Sequence, residues 1–300
     1  MLKISRESSV LSMSASHAQA ARAASGDTVI FETFDCFTNN IRTEQDLFHL
    51  VGWDKINPAT GPLYIEGAEA GDVLKVDILD IQVEEQGVMV TAPGLGPLGE
   101  HYGDRERTKI LPVKDGEVIF NDKISFPVNT MVGVIGTAPA TRDIPTGEPG
   151  THGANMDCKR IIKGATVYLP VNVDGALLCI GDLHAIMGDG ETNCSGVEIN
   201  GQVTVKLTVL KDCKIPTPLV LQGGDAMTVA SADTIHKAAA QSATIMTQFV
   251  MEVTGMEFEE AAMLITCAGD VRINQLVNPL MTARYEMPVW VFEQYGYKFI

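Results

Sequence analysis

The sequence is short of basic residues and of paired cysteines, and each shortage removes a class of function. Lys and Arg number 22 against 38 Asp and Glu, giving a formal net charge of −16 and a pI near 4.7. So acidic a surface repels phosphate backbones and anionic lipid, which argues against nucleic acid and membrane as partners. No stretch of about 18 apolar residues occurs, so no segment reads as a membrane-spanning helix. The opening MLKISRESSVLSMSASHAQA also lacks an apolar run of secretory length. Six cysteines stand at positions 36, 158, 179, 194, 213 and 267, with no CxxC pair among them. That scatter reads as reduced, mostly buried thiols of a cytoplasmic protein and speaks against a cysteine zinc site. There is no G-x-G-x-x-G between a strand and a helix and no G-x-S-x-G, so a dinucleotide fold and an α/β-hydrolase have no support.

What is present is a 300-residue chain, 45% hydrophobic, with ample material for one large core or several smaller ones. From Gly26 to Pro218 it is written in short strand-like segments separated by Gly, Pro, Asn and Asp. These are 73–83, 87–92, 117–121, 130–138, 165–171 and 202–210. Many short strands favour a sandwich or barrel over a doubly wound sheet. After Pro218 the pattern changes. Residues 231–255 carry helical spacing, with Ser and Asp able to cap and Gly255 as a closing glycine. A second helix is predicted over 257–269, and extended segments over 270–277 and 287–295. The expected organisation is a β-rich portion at 1–165, a β segment at 166–218 and an α+β portion at 219–300.

Chemistry concentrates in 145–198, in two glycine-rich clusters, PTGEPGTHGANMDC (145–158) and GDLHAIMGDGETNCSGVE (181–198). Glycine lets a backbone take positive φ and approach other groups, which suits a rigid loop holding converging side chains. Asp182 and His184 are two apart and point to one side of an extended segment. A carboxylate and an imidazole on one face suit a divalent ion such as zinc, with calcium as the alternative for a loop rich in acids. Asp189 and Glu191 repeat that spacing, and Glu198 follows. Solvated turn carboxylates beside one hydrogen-bonded histidine would give the same string, and spacing alone does not choose. The first cluster adds His152, Asn155 and Asp157. A hairpin through 163–181 would bring the clusters to one end of a sheet. Asp35 is a further candidate acid on a strand. His101, Asp104 and His236 read as solvated or structural. Cys36, Cys158, Cys179 and Cys194 lie near the clusters and keep a cysteine nucleophile open.

Three stretches carry a family likeness: HGANMD (152–157), YLPVNVDGALLCIGDLHAIMGDGE (168–191) and NPATGPLYIEGAEAGDVLKVDILDI (57–81). In these the chain resembles the acetamidase/formamidase family. The resemblance implies a mainly β fold, a jelly-roll-like β-sandwich core with small β parts and a C-terminal α+β part. It implies hydrolysis of a small neutral amide to carboxylate and ammonia. Carried over by motif position, Asp157, Asp182, His184 and Glu191 come first, with Asp35, His152, Asn155 and Glu198 behind them. The expected division has Asp35, Asp157, Asp182 and His184 as metal ligands, Glu191 or Glu198 as general base, and Asn155 or His152 facing the oxyanion. Ala154 stands where the family has glycine, Thr192 and Asn193 interrupt its second motif, and the C-terminal part matches least. A cysteine-nucleophile amidase and a non-catalytic metal or small-ligand binding protein remain as alternatives. Edge-rich β proteins pair with themselves, so a homo-oligomer is expected.

Overall fold

Alternation of apolar and polar residues with period two puts one face of each strand into a core, and here it builds two large sheets. The computed structural model describes residues 1–300. A nine-stranded sheet runs in the order Leu2–Ile4, Thr28–Thr33, Gly201–Leu210, Val73–Val83, Thr166–Pro170, Leu219–Gln222, Asp225–Ala232, Met281–Pro288 and Asp270–Gln275. It draws strands from all three of the segments 1–165, 166–218 and 219–300. The second sheet centres on Leu178–His184. That strand is flanked by Met131–Gly136 on one side and Glu198–Ile199 on the other, and its first half also pairs with Ala59–Glu66. Pairing is antiparallel almost throughout, the parallel exceptions being Leu2–Ile4 with Thr28–Thr33 and Ala21–Ala24 with Ala59–Glu66. Val29, Phe31, Val203 and Val205 from the first sheet share one buried cluster with Leu63, Val132, Ile180 and Leu183 from the second. Each such side chain contributes roughly 1.5–3 kcal/mol by burial.

The helices pack on the far end of the nine-stranded sheet. Helix Ile235–Thr254 begins four residues later than expected, because Ser231 and Ala232 complete the strand Asp225–Ala232. Its cap is therefore Thr234, whose side chain accepts from the Lys237 N–H, and Gly255 closes it at φ 76°. Helix Phe258–Ala268 follows, and Met246, Phe249, Ala261 and Ile265 pack against Tyr285 and Met287. The segment 287–295 is not extended as its β-branched run suggested. Met287 and Pro288 finish a strand, and Val289–Glu293 is a short helix. The turn buries Val291 and Phe292 against the helices; the Phe292 ring lies 5.1 Å from Phe249.

The two motif clusters do not meet through a hairpin. The segment between them crosses from one sheet to the other, with Thr166–Pro170 in the first and Leu178–His184 in the second. Strand Met131–Gly136 joins the clusters instead, pairing Val134 with Asn155 on one side and with Gly181 on the other.

The C-terminal part clasps the second cluster. Gly190 donates to the Asn274 carbonyl at 2.9 Å and accepts from Leu276 at 3.1 Å. Arg284 is buried (1% exposed) and grips Asp189 with two bonds of 2.7 and 2.9 Å while bonding Asn274 and Glu286. Removing one partner of a buried ion pair leaves an uncompensated charge, at about 3–5 kcal/mol. Arg284→Ala is expected to lose stability of that size in urea unfolding, whereas Lys237→Ala, whose partner Asp233 is exposed, changes it by under about 0.5 kcal/mol.

Candidate metal and active site

Strand geometry brings the acids together. Asp182 falls opposite Gly133, between the register pairs Val132–Leu183 and Val134–Gly181, and His184 pairs with Glu198 across the next ladder. The backbone departs from ordinary strand geometry at the functional side chains: Asp157, Asp182, Glu191 and Cys194 have φ of 46°, 54°, 42° and 61°. Such conformations cost on the order of 1–3 kcal/mol each and persist where surrounding structure enforces them. Ala154, at φ 67°, shows why glycine suits that motif position.

The ligand atoms of Asp157, His184 and Glu191 lie within 4.8 Å of one another, as do those of Cys36, Asp182 and Glu198. The two groups adjoin: His184 Nε2 is 3.2 Å from Glu198 and 3.5 Å from Asp182. With its amide nitrogen turned to the acids, Asn155 donates to Asp157 and Asp182 at 3.0 Å each, and its oxygen accepts from Asn57 at 2.9 Å. Asn278 donates to Asp157 at 2.8 Å. Two glycines make room. A Cβ at Gly133 would sit 2.6 Å from carboxylate oxygens of both Asp157 and Asp182, and one at Gly196 would sit 2.5 Å from His184 Nδ1.

Six of the eight residues expected from sequence thus converge: Asn155, Asp157, Asp182, His184, Glu191 and Glu198. Asn155 uses its amide nitrogen on the acids rather than facing the cavity as a free donor. Asp35 stands aside, with one carboxylate oxygen accepting the N–H groups of Phe37 and Asn39, while its neighbour Cys36 reaches the cluster. His152 is buried in a separate spot with Nε2 unpartnered. Asp189 turns away to Arg284 and Lys159. Asn57 and Asn278 escaped the sequence reading. Each precedes a proline, the Asn-Pro signature of a turn; Asn57 also opens the motif at 57–81, whereas Asn278 carries no other local signal.

Burial dominates the electrostatics. It raises Glu198 to about 8, with His184 opposing and Asp182 adding, and raises Asp157 to about 6, with Asp182 adding. Glu191 is also pushed well up by burial, then by Asp157. Burial works against His184 carrying a proton, but Glu198 and Asp182 outweigh it and hold its pKa above the usual value. The thiols of Cys36 and Cys194 are pushed up by burial and then by neighbouring acids, Cys194 to about 12.

Seven buried side-chain polar atoms in the structure lack a hydrogen-bond partner, and five belong here: Asp182 Oδ1, both ring nitrogens of His184, Glu191 Oε2 and Glu198 Oε2. Buried polar atoms are ordinarily satisfied, so so many orphans in one place fit a cation among nitrogen and oxygen donors. Above them opens a cavity of about 420 Å³, with Asn155, Asp182, Glu191 and Glu198 in its floor.

Known proteins resemble the chain over most of its length. The model of the acetamidase/formamidase family matches residues 17–146 and 140–294. The crystal structure of an acetamidase from Bacillus halodurans superposes with a TM-score of 0.97 at 47% identity, covering 99% of this chain and 100% of its own. That of a recombinant predicted acetamidase/formamidase from Thermoanaerobacter tengcongensis gives 0.96 at 43%, covering 99% of each. A formamidase of Methylophilus methylotrophus is 28% identical over 217 residues, 53% of this chain and 53% of its own length. The chain spans between 53% and 64% of the length of the curated relatives it matches.

Two outcomes follow from the geometry. A Cβ at Gly133 or Gly196 would push side chains of the cluster out of place, so if the cluster takes a divalent cation, Gly133→Ala and Gly196→Ala would weaken the binding of added zinc at least tenfold in calorimetric titration, about 1.4 kcal/mol. Burial lowers His152 from 6.5 to about 4, so the folded state resists a proton that the unfolded chain accepts. Above pH 6.5 both states are neutral and nothing is lost; as pH falls from 6.5 towards 4, stability drops. His152→Gln should flatten that part of the stability–pH curve relative to wild type, by on the order of 3 kcal/mol across the window.

Proposed function

This chain belongs to the acetamidase/formamidase family, and from that premise we propose that it is a metal-dependent amidohydrolase converting a small neutral amide to a carboxylate and ammonia. The observation that carries the reading is the set of orphaned, buried donor atoms at the floor of a cavity. Asp157, Asp182 and His184 would hold the cation, with Cys36 beside them. A mixed oxygen and nitrogen set favours zinc; calcium takes oxygen donors and fits His184 less well. A divalent cation there supplies positive charge that draws the pKa of water from about 15.7 towards ~7 and polarises an amide carbonyl.

The remaining work falls to the chain. Glu191 and Glu198 line the cavity within the cluster, placed to take a proton from the attacking water and pass it to the amide nitrogen, which leaves as ammonia. Asn155 and Asn278 orient the two aspartates. Asp189, clamped by Arg284, fixes the turn that presents Glu191. Acids alone supply the charge of the cavity lining, which repels the carboxylate product. A cysteine nucleophile fits less well, because burial, and then the surrounding acids, push the Cys36 and Cys194 thiols up. We place the protein in the cytoplasm, on its six free thiols, and expect self-association through edges such as Asp270–Gln275, whose first four residues face solvent.

Dialysis against a strong chelator, followed by ammonia-release assays on formamide and acetamide, tests the reading: activity is lost and zinc restores it. Full turnover by metal-free protein would overturn the metal requirement. Glu191→Gln or Glu198→Gln, whichever carries the proton, should lower kcat by about 10²–10⁴ with little change in KM.

A further inference from the structure

The cavity is larger than the amide group needs. Acetamide has four non-hydrogen atoms and displaces two or three waters, roughly 100 Å³, whereas the cavity measures about 420 Å³. The surplus is bounded by apolar side chains. Phe37, Phe48 and Trp53 form a ladder climbing from beside Cys36 to the rim, with ring centroids 6.1 and 5.0 Å apart and planes at 73° and 83°. Ile56, Leu95 and Val277 complete the wall. Phe37 and Phe48 are buried, but Trp53 is 65% exposed, an aromatic face held at the mouth with nothing packed on its outer side. No lysine, arginine or histidine lines the cavity, so an anionic substrate has no partner there. At the mouth, Glu148 is already paired with Arg142 at 2.7 Å, which weakens the attraction for a cation. Apolar walls around a few polar groups are the arrangement of a site that binds a mostly hydrophobic ligand and fixes one end of it.

We propose that the preferred substrate is an uncharged primary amide with an apolar acyl group larger than acetyl, an alkyl chain or a single aromatic ring, seated against the Phe37–Phe48–Trp53 ladder with its amide on the acid floor. This rests on the amidohydrolase reading and adds the substrate class. Small acyl groups leave the upper cavity filled with water; a longer one replaces that water and gains burial with each methylene.

The test is ammonia release by zinc-loaded protein from acetamide, butyramide, hexanamide and phenylacetamide. The expected kcat/KM rises along the alkyl series by about fourfold per methylene, equivalent to ~0.8 kcal/mol each, and phenylacetamide exceeds acetamide at least tenfold. Trp53→Ala, at an exposed position, lowers the phenylacetamide value at least fivefold and leaves acetamide within twofold. Values that stay flat or fall along the series overturn this inference and leave the amidohydrolase reading intact. Turnover of no amide at all overturns that reading instead. Thermal shift then decides the binding claim: a shift with phenylacetamide that exceeds that of acetamide and disappears in Trp53→Ala supports it, and no such difference overturns it.

Discussion

Four carboxyl groups and one imidazole buried against each other form an arrangement that water would ordinarily keep apart. Desolvation raises Asp157, Glu191 and Glu198 and the charge of neighbouring acids raises them further, while His184 opposes the shift in all three. The rest of the structure is organised around tolerating this. Strand Met131–Gly136 brings the two acid-bearing segments to its opposite edges, Gly133 vacates the space they enter, and Asn155 and Asn278 donate to them. The left-handed backbone at Asp157, Asp182 and Glu191 is stored strain of the kind found where side-chain direction matters more than local comfort.

Much of this was legible in the sequence, and the reasons divide cleanly. The strand at Val73–Val83 and the helix ending at Gly255 were readable because periodicity and a glycine stop are local signals. The acids and His184 were readable because residue type and glycine-rich setting are also local. The way the clusters meet was not, since 163–181 looks like a hairpin from within and its partner strand lies about thirty residues upstream. Nor was the part played by Asn57 and Asn278, which reach Asn155 from opposite ends of the chain. The turn at 289–293 was hidden for a different reason: VWVF has the composition of a strand, and the packing of Phe292 onto Phe249 decided the matter.

The two faces of the site differ in origin as well as in chemistry. The floor stands on strands and on turns clamped by Arg284, so its side chains have little freedom. The upper wall at Phe37, Phe48 and Trp53 belongs to the stretch 36–56, whose only regular structure is two short 3₁₀ turns. A rigid polar base beneath a loop-borne apolar wall separates the machinery of bond breaking from the choice of what is brought to it. Trp53, the exposed member of the wall, is the position whose substitution the fold absorbs most readily, whereas Phe37 and Phe48 also belong to a buried core cluster.

The clasp by the C-terminal strands also sets an order of events during synthesis. A nascent chain that has emerged only as far as the long helix already possesses every acid of the cluster. It lacks Asn274, Asn278 and Arg284, so the turn bearing Glu191 has no anchor and Asp157 has lost a donor. Asp157 and the turn bearing Glu191 thus gain their last hydrogen-bond partners only when the C-terminal strands dock.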